Sequence, residues 1–158
     1  MRVIDLVDTS VFAALIRVPG RDARHQEVRA EFERRIEEGV SFILPVSTII
    51  ETGNLIANGS GDRRAAAKKL LDALQLARET SPPWIIRDVP WDSDFLDRFI
   101  AGDSTGTGLL GHLTAGSLGS GDVAILVERD LIEDGLSGAR VRVWTFDNEL
   151  HAYGRNEA

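Results

Sequence analysis

Four acidic residues stand where a metal-dependent hydrolase would need them. Asp8 follows a short apolar run, Val3 to Val7, and Asp147 follows another, Val141 to Phe146. Glu51 lies in the otherwise apolar stretch Val46 to Ile56, and Asp122 opens the apolar run Val123 to Val127. If these carboxylates converge they repel one another, and without a cation some must take up protons. Hard oxygen ligands, with water in the remaining positions, suit Mg²⁺ or Mn²⁺. Two such ions activate a water and stabilise a leaving oxygen in phosphodiester cleavage, with no need for His or Cys. Each acid also has a plainer role. Asp8, Asp122 and Asp147 stand at helix N-cap positions, where Asp is favoured, and Thr48 with Glu51 has the spacing of a capping box. Caps alone leave unexplained why two acids directly follow the first and last apolar runs. They also leave unexplained a Glu within an apolar stretch.

The elements that must position these acids are legible from periodicity. Val3–Val7 reads as a strand, then a helix from about Thr9 to Arg17, with Pro19-Gly20 as punctuation. Val28, Phe32 and Ile36 recur every four residues in an amphipathic helix over 22–38. A second strand covers 40–44, and a largely apolar helix covers 46–57. The pattern predicts a helix over 62–80 with Ala67, Leu70, Leu71, Leu74 and Ala77 as its buried stripe. It then predicts a strand over 84–89, a helix over 92–100, a helix from 122 to about 132, a strand over 141–146 and a final helix over 148–153. Seven of the 20 positions from 102 to 121 are glycine, which suggests a mobile loop or a poorly ordered helix. Strands separated by helices imply an α/β fold with a parallel sheet and helices on both faces. Ligands in such sheets sit beyond the carboxyl ends of the strands, which is where Asp8 and Asp147 fall.

Composition bounds the rest. The 158 residues, 43% hydrophobic and 27% charged, suit one domain spanning 1–158. Cysteine is absent, which excludes disulfides, thiolate zinc sites and a Cys nucleophile. No run of 18 apolar residues suggests a transmembrane helix, and the acids in MRVIDLVDTS argue against a signal peptide, so a cytoplasmic location is expected. The formal net charge of -7 counts against non-specific nucleic-acid binding. A bound cation would offset part of it locally. Arg63, Arg64, Lys68 and Lys69 cluster on one predicted helix and could meet phosphates, although a solvated face accounts for them equally well. Trp84, Trp91 and Trp144 are expected in the core. The three histidines come without a G-x-S-x-G elbow, and no P-loop is present.

Four segments, in order, resemble the motifs of the PIN-domain ribonuclease family. VIDLVDTSVFAAL is similar to the family's opening strand, Asp-Thr-Ser and helix. PVSTIIETGNLIA is similar to its acid-bearing second helix, SGDVAILV to the Asp that starts the third motif, and VRVWTFDNEL to the strand running into Thr-x-Asp. The resemblance spans nearly the whole chain. It implies a three-layer α/β/α fold with a central parallel sheet. It also implies a metal site of Asp8, Glu51, Asp122 and Asp147, RNA cleavage with Mg²⁺ or Mn²⁺, and supporting hydroxyls at Thr9, Ser10 and Thr145. Asn54, three residues after Glu51 on the same helix face, is added from spacing alone. Within the family the chain looks most like VapC-type toxins of toxin–antitoxin pairs, which implies a homodimer blocked by a small antitoxin. An RNA-maturation nuclease and a catalytically silent PIN-like binding module are the alternatives. The sequence departs from the family in its extra length at 102–121. Asp5 competes with Asp8, and Asp103 with Asp122, for a place in the cluster.

Overall fold

The computed structural model describes residues 1–154, so the expected span of 1–158 runs past the described residues. Strand β1 (Arg2–Val7) leads into helix α1 (Thr9–Leu15), and helix α2 (His25–Glu37) precedes strand β2 (Ser41–Ile43). Helices α3 (Val46–Asn58), α4 (Arg63–Leu76), α5 (Ser93–Ala101), α6 (Leu109–Ala115) and α7 (Ser120–Gly135) follow. Strand β3 (Ala139–Trp144) and helix α8 (Asn148–Tyr153) complete the described chain.

The fold is mixed α/β, with a parallel sheet in the order β2-β1-β3 among the described residues. Two-residue alternation assigns β1 to two different cores. Ile4 and Leu6 join Val141 and Val143 against Val123, Ile125 and Leu126 of α7. Val7 faces the other way, with Phe42 and Trp144, against Val11 and Phe12 of α1 and Val28 of α2. Helices therefore cover both faces. This explains why the strands read as nearly continuous apolar runs. Chain order reverses about β1, because β2 lies on one side and β3 on the other. The crevice at the carboxyl end of β1 and β3 is the place where such sheets bind ligands.

Asp5 is the exception in β1. Fully buried, it accepts from Arg35 Nη1 at 2.7 Å and from Arg142 Nε and Nη2 at 2.7 and 3.0 Å. Arg35 in turn lies over the Trp144 ring. Asp5 thus pins α2 and β3 to the central strand and does not compete with Asp8.

Four expectations change. The 84–89 strand shrinks to a single bridge, Ile85 to Ile43, held by Ile85 N–H to Phe42 O and Leu44 N–H to Ile85 O. Pro82-Pro83 and Pro90 bracket the segment and cannot donate to a longer ladder. The buried face of α4 is also rotated: Ala66 and Ala73 are buried, Leu70 and Leu74 are half-buried, and Leu71 is 54% exposed. Trp91, expected in the core, is 55% exposed and stacks on Phe95 at 4.5 Å. The glycine-rich stretch holds more regular structure than its composition suggests. It contains a 3-10 turn, Asp103–Thr105, and helix α6. Buried His112 joins Thr105 Oγ1 at 2.8 Å to Ser117 Oγ at 3.0 Å. One polar hub does the anchoring that the glycines cannot.

Candidate metal centre

Asp8 sits at the end of β1, and its backbone N–H donates to Trp144 O at 3.0 Å, tying it to β3. Its side chain does not cap α1. Instead its Oδ2 accepts from Thr145 Oγ1 at 2.7 Å and Ser10 Oγ at 2.9 Å. These hydroxyls also hold the turn beyond β3: Phe146 N–H donates to Ser10 Oγ and Asp147 N–H to Thr145 Oγ1, both at 3.0 Å. Ser10 and Thr145 therefore share one network with Asp8 and the turn at Asp147, while Thr9 serves Glu51 separately.

Glu51 forms no capping box. Thr48 Oγ1 donates to Val7 O at 2.8 Å, and Glu51 Oε2 accepts from Thr9 Oγ1 at 2.7 Å. The other Glu51 oxygen lies against α7, packed where Gly121 has no side chain: a Cβ there would stand 1.5 Å from Oε1. Asp122 lies inside the first turn of α7, not at its N-cap, and its Oδ2 accepts from Gly119 N–H at 3.0 Å. Asp147 does cap its helix, accepting Glu149 and Leu150 N–H on Oδ1.

These bonds share a pattern. Each of the four acids engages one carboxylate oxygen with the protein, while its second oxygen has no hydrogen-bond donor among the described residues. Asp122 senses the other three acids. Burial pushes the Asp122 carboxyl up to about 6; the Gly119 N–H opposes this, and the charges of Asp8, Asp147 and Glu51 add to it. Among the described residues, no group of three or more His, Asp or Glu is drawn together tightly enough to hold a metal ion as it stands. The donor set nevertheless suits a hard divalent cation, with four oxygens presented, mutual repulsion to relieve and no soft ligand.

Asn54 is exposed on the same side of α3, and its side chain joins no bond of this network. Arg63, Arg64, Lys68 and Lys69 are exposed on α4. Arg63 donates to Gly59 O, Lys69 to Arg17 O, and Lys68 pairs with Asp72. They lie outside the acid network. Asp103 is occupied elsewhere: burial and the neighbouring Asp130 push its carboxyl up to about 7, and Arg98 Nη1 lies 4.0 Å from its Oδ1.

Sequence reasoning missed two features. Glu128, Arg129 and Asp130 are consecutive charges buried in α7. Their signal was visible as a charged triplet inside an apolar helix. Arg21 was read as loop, yet it lines a cavity of about 460 Å³ together with Thr9, Ser10 and Glu51. No local signal marks that placement, which depends on how α1 and α3 pack.

Compared with known proteins, the chain matches no family model, no curated protein and no solved structure. Among the described residues no helix is long and apolar enough to cross a membrane.

Proposed function

We propose that this chain is a Mg²⁺- or Mn²⁺-dependent ribonuclease whose metal ligands are Asp8, Glu51, Asp122 and Asp147. The observation that carries the reading is the pattern of free oxygens: four acids from four elements, each anchored through one oxygen and open at the other. Caps alone do not account for this, since the Asp8 side chain caps nothing and Glu51 serves another helix's hydroxyl. A bound divalent ion would supply a nucleophilic water and neutralise charge on the scissile phosphate. The protein's own part is to hold the carboxylates charged and aimed. Thr145 and Ser10 hold Asp8, Thr9 holds Glu51, and Gly119 holds Asp122. The test is cleavage of end-labelled RNA by purified protein in Mg²⁺ or Mn²⁺, with EDTA and Asp8→Asn as controls. Asn keeps the side-chain size and removes the charge. Cleavage that vanishes in both controls supports the reading. An inactive but folded wild type that binds no Mn²⁺ points instead to a silent binding module.

Within this class the reading extends to the toxin of a toxin–antitoxin pair, supported by the resemblance to VapC-type chains. A small partner would then silence the site, most simply by inserting an Arg, whose planar fork matches carboxylates. Growth arrest on expression of the chain alone, relieved by the neighbouring small gene product, is the expected result. Normal growth with no binding neighbour shifts the reading to RNA maturation.

A further inference from the structure

The cavity beside the acids has features that metal binding does not use. It opens on the Thr9, Ser10 and Glu51 side of the acid network, at about 460 Å³. Its other walls are Ala13 and Leu55, which are apolar, and Asn54 and Arg21, which are polar. That size and mix fit a small organic ligand with a flat apolar part and a few polar groups.

Arg21 is placed there by a defined turn. Its N–H donates to Val18 O at 2.9 Å across Pro19-Gly20, with Gly20 at φ 78°. Proline then glycine at the centre suits a type II turn. Val18, 3% exposed, anchors the turn in the core. Arg24, Arg29, Arg34, Arg35, Arg98 and Arg142 each pair with a carboxylate. Arg21 has no such partner among the described residues; Arg2, Arg17, Arg64, Arg78 and Arg87 share this, but none of them lines the cavity, where the Asn54 amide also lacks a hydrogen-bond partner. Arg21 is the basic residue among the cavity's lining, and a phosphate entering it would meet that guanidinium.

We propose that this cavity seats one nucleotide of a single-stranded RNA next to the scissile bond, with Arg21 on its phosphate, Leu55 against its base and Asn54 at the base edge. The assignment rests on the nuclease reading and adds the substrate contacts that the acids cannot supply. Arg pairs bidentately with phosphate, and an amide offers both a donor and acceptor to a base edge.

The experiment is fluorescence anisotropy with 5′-labelled octamers of A, C and U, in Ca²⁺ and over a series of NaCl concentrations. Gels on the same samples show the octamers intact. Arg21→Ala should weaken binding roughly fivefold to tenfold and lower the slope of log K against log salt by about 0.7, the value for one single-strand phosphate contact. Arg21→Lys should keep the slope. Asn54→Ala should change the ranking of the three octamers and leave the slope alone. Arg21 is exposed, so the variants should fold, and their melting curves check this. Wild-type affinity and slope in Arg21→Ala overturn the proposal even if the protein cleaves RNA. A wild type that binds none of the octamers overturns it as well. Cleavage that depends on Asp8 decides the nuclease reading separately.

Discussion

Substituting Gly121 with alanine separates the role of Glu51 from the stability of the fold. A methyl group there would stand 1.5 Å from Glu51 Oε1, 2.6 Å from its Cδ and 3.3 Å from Oε2. Non-bonded carbon and oxygen keep about 3.3–3.6 Å apart, so the carboxylate must retreat by roughly 2 Å. The obstruction is the tip of a flexible side chain, which swings away at little cost. Two stability effects oppose each other. Alanine in place of a helical glycine contributes up to about 1 kcal/mol, and loss of the Thr9 hydrogen bond to a charged acceptor costs about 1.5–3 kcal/mol. The net change should stay within about 2 kcal/mol by urea unfolding. On the proposed nuclease reading, catalysis has less tolerance. A misplacement of about 1 Å can cost a hundredfold, and metal–oxygen distances hold to about 0.2 Å. Single-turnover RNA cleavage should therefore fall at least about 100-fold. Glu51→Gln should fall comparably, and the double variant should fall little further, because both changes remove the same group. A folded Gly121→Ala protein that cleaves at the wild-type rate would refute the reasoning, as would full multiplicative losses in the double variant.

Asp5→Ala should destabilise the fold by about 3 kcal/mol, since it strips the buried partner from Arg35 and Arg142; Asp8→Asn should shift urea unfolding by no more than about 2 kcal/mol, because the amide oxygen still accepts from Thr145 and Ser10 although the charge that strengthens those bonds is gone. Saturating Mn²⁺, at a hundredfold excess over Kd, should add ~2.7 kcal/mol, roughly 5–10 °C in Tm for a chain of this size, and Asp8→Asn should abolish the gain. Glu128 is 2% exposed, and burial raises its carboxyl to about 7 from the usual 4.5 despite a hydrogen bond from Trp91. A raised acid favours the folded state below the unfolded pKa, and this contribution is lost as pH rises through the folded pKa. Stability should therefore fall between about pH 4.5 and 7, and Glu128→Gln should remove about 3 kcal/mol of that fall. Parallel unfolding profiles for the two proteins across this window would contradict the placement of Glu128.

Patterns of short range were the most readable. The apolar run of β1, the Asp-Thr-Ser turn and the small helix α8 follow from local periodicity and turn residues, and the structure places them within a residue or two. The face of α4 was not readable, because alternative stripes such as Ala66–Leu70–Ala73 and Ala67–Leu71–Leu74 differ by one position. Only packing against α3 chooses between them. The glycine-rich segment misled for a similar reason: its order comes from His112 and its two hydroxyl partners. In the site, the four acids were visible as residues. Their anchoring was not, because Thr9 reaches across to Glu51 and Thr145 to Asp8 over gaps that no local motif spans.

The sheet order has a consequence for synthesis. The central strand precedes both of its neighbours in the chain, and β3 follows β2 only after helices α3 to α7. The carboxylates at positions 8 and 147 are therefore made well apart in time. At 5–20 residues per second, they emerge on the order of 10 s apart. On the proposed reading, a chain still on the ribosome has Asp8 but no Thr145 to hold it and no Asp147 beside it. On that reading, a nascent chain that has not yet made β3 holds only part of the proposed metal site.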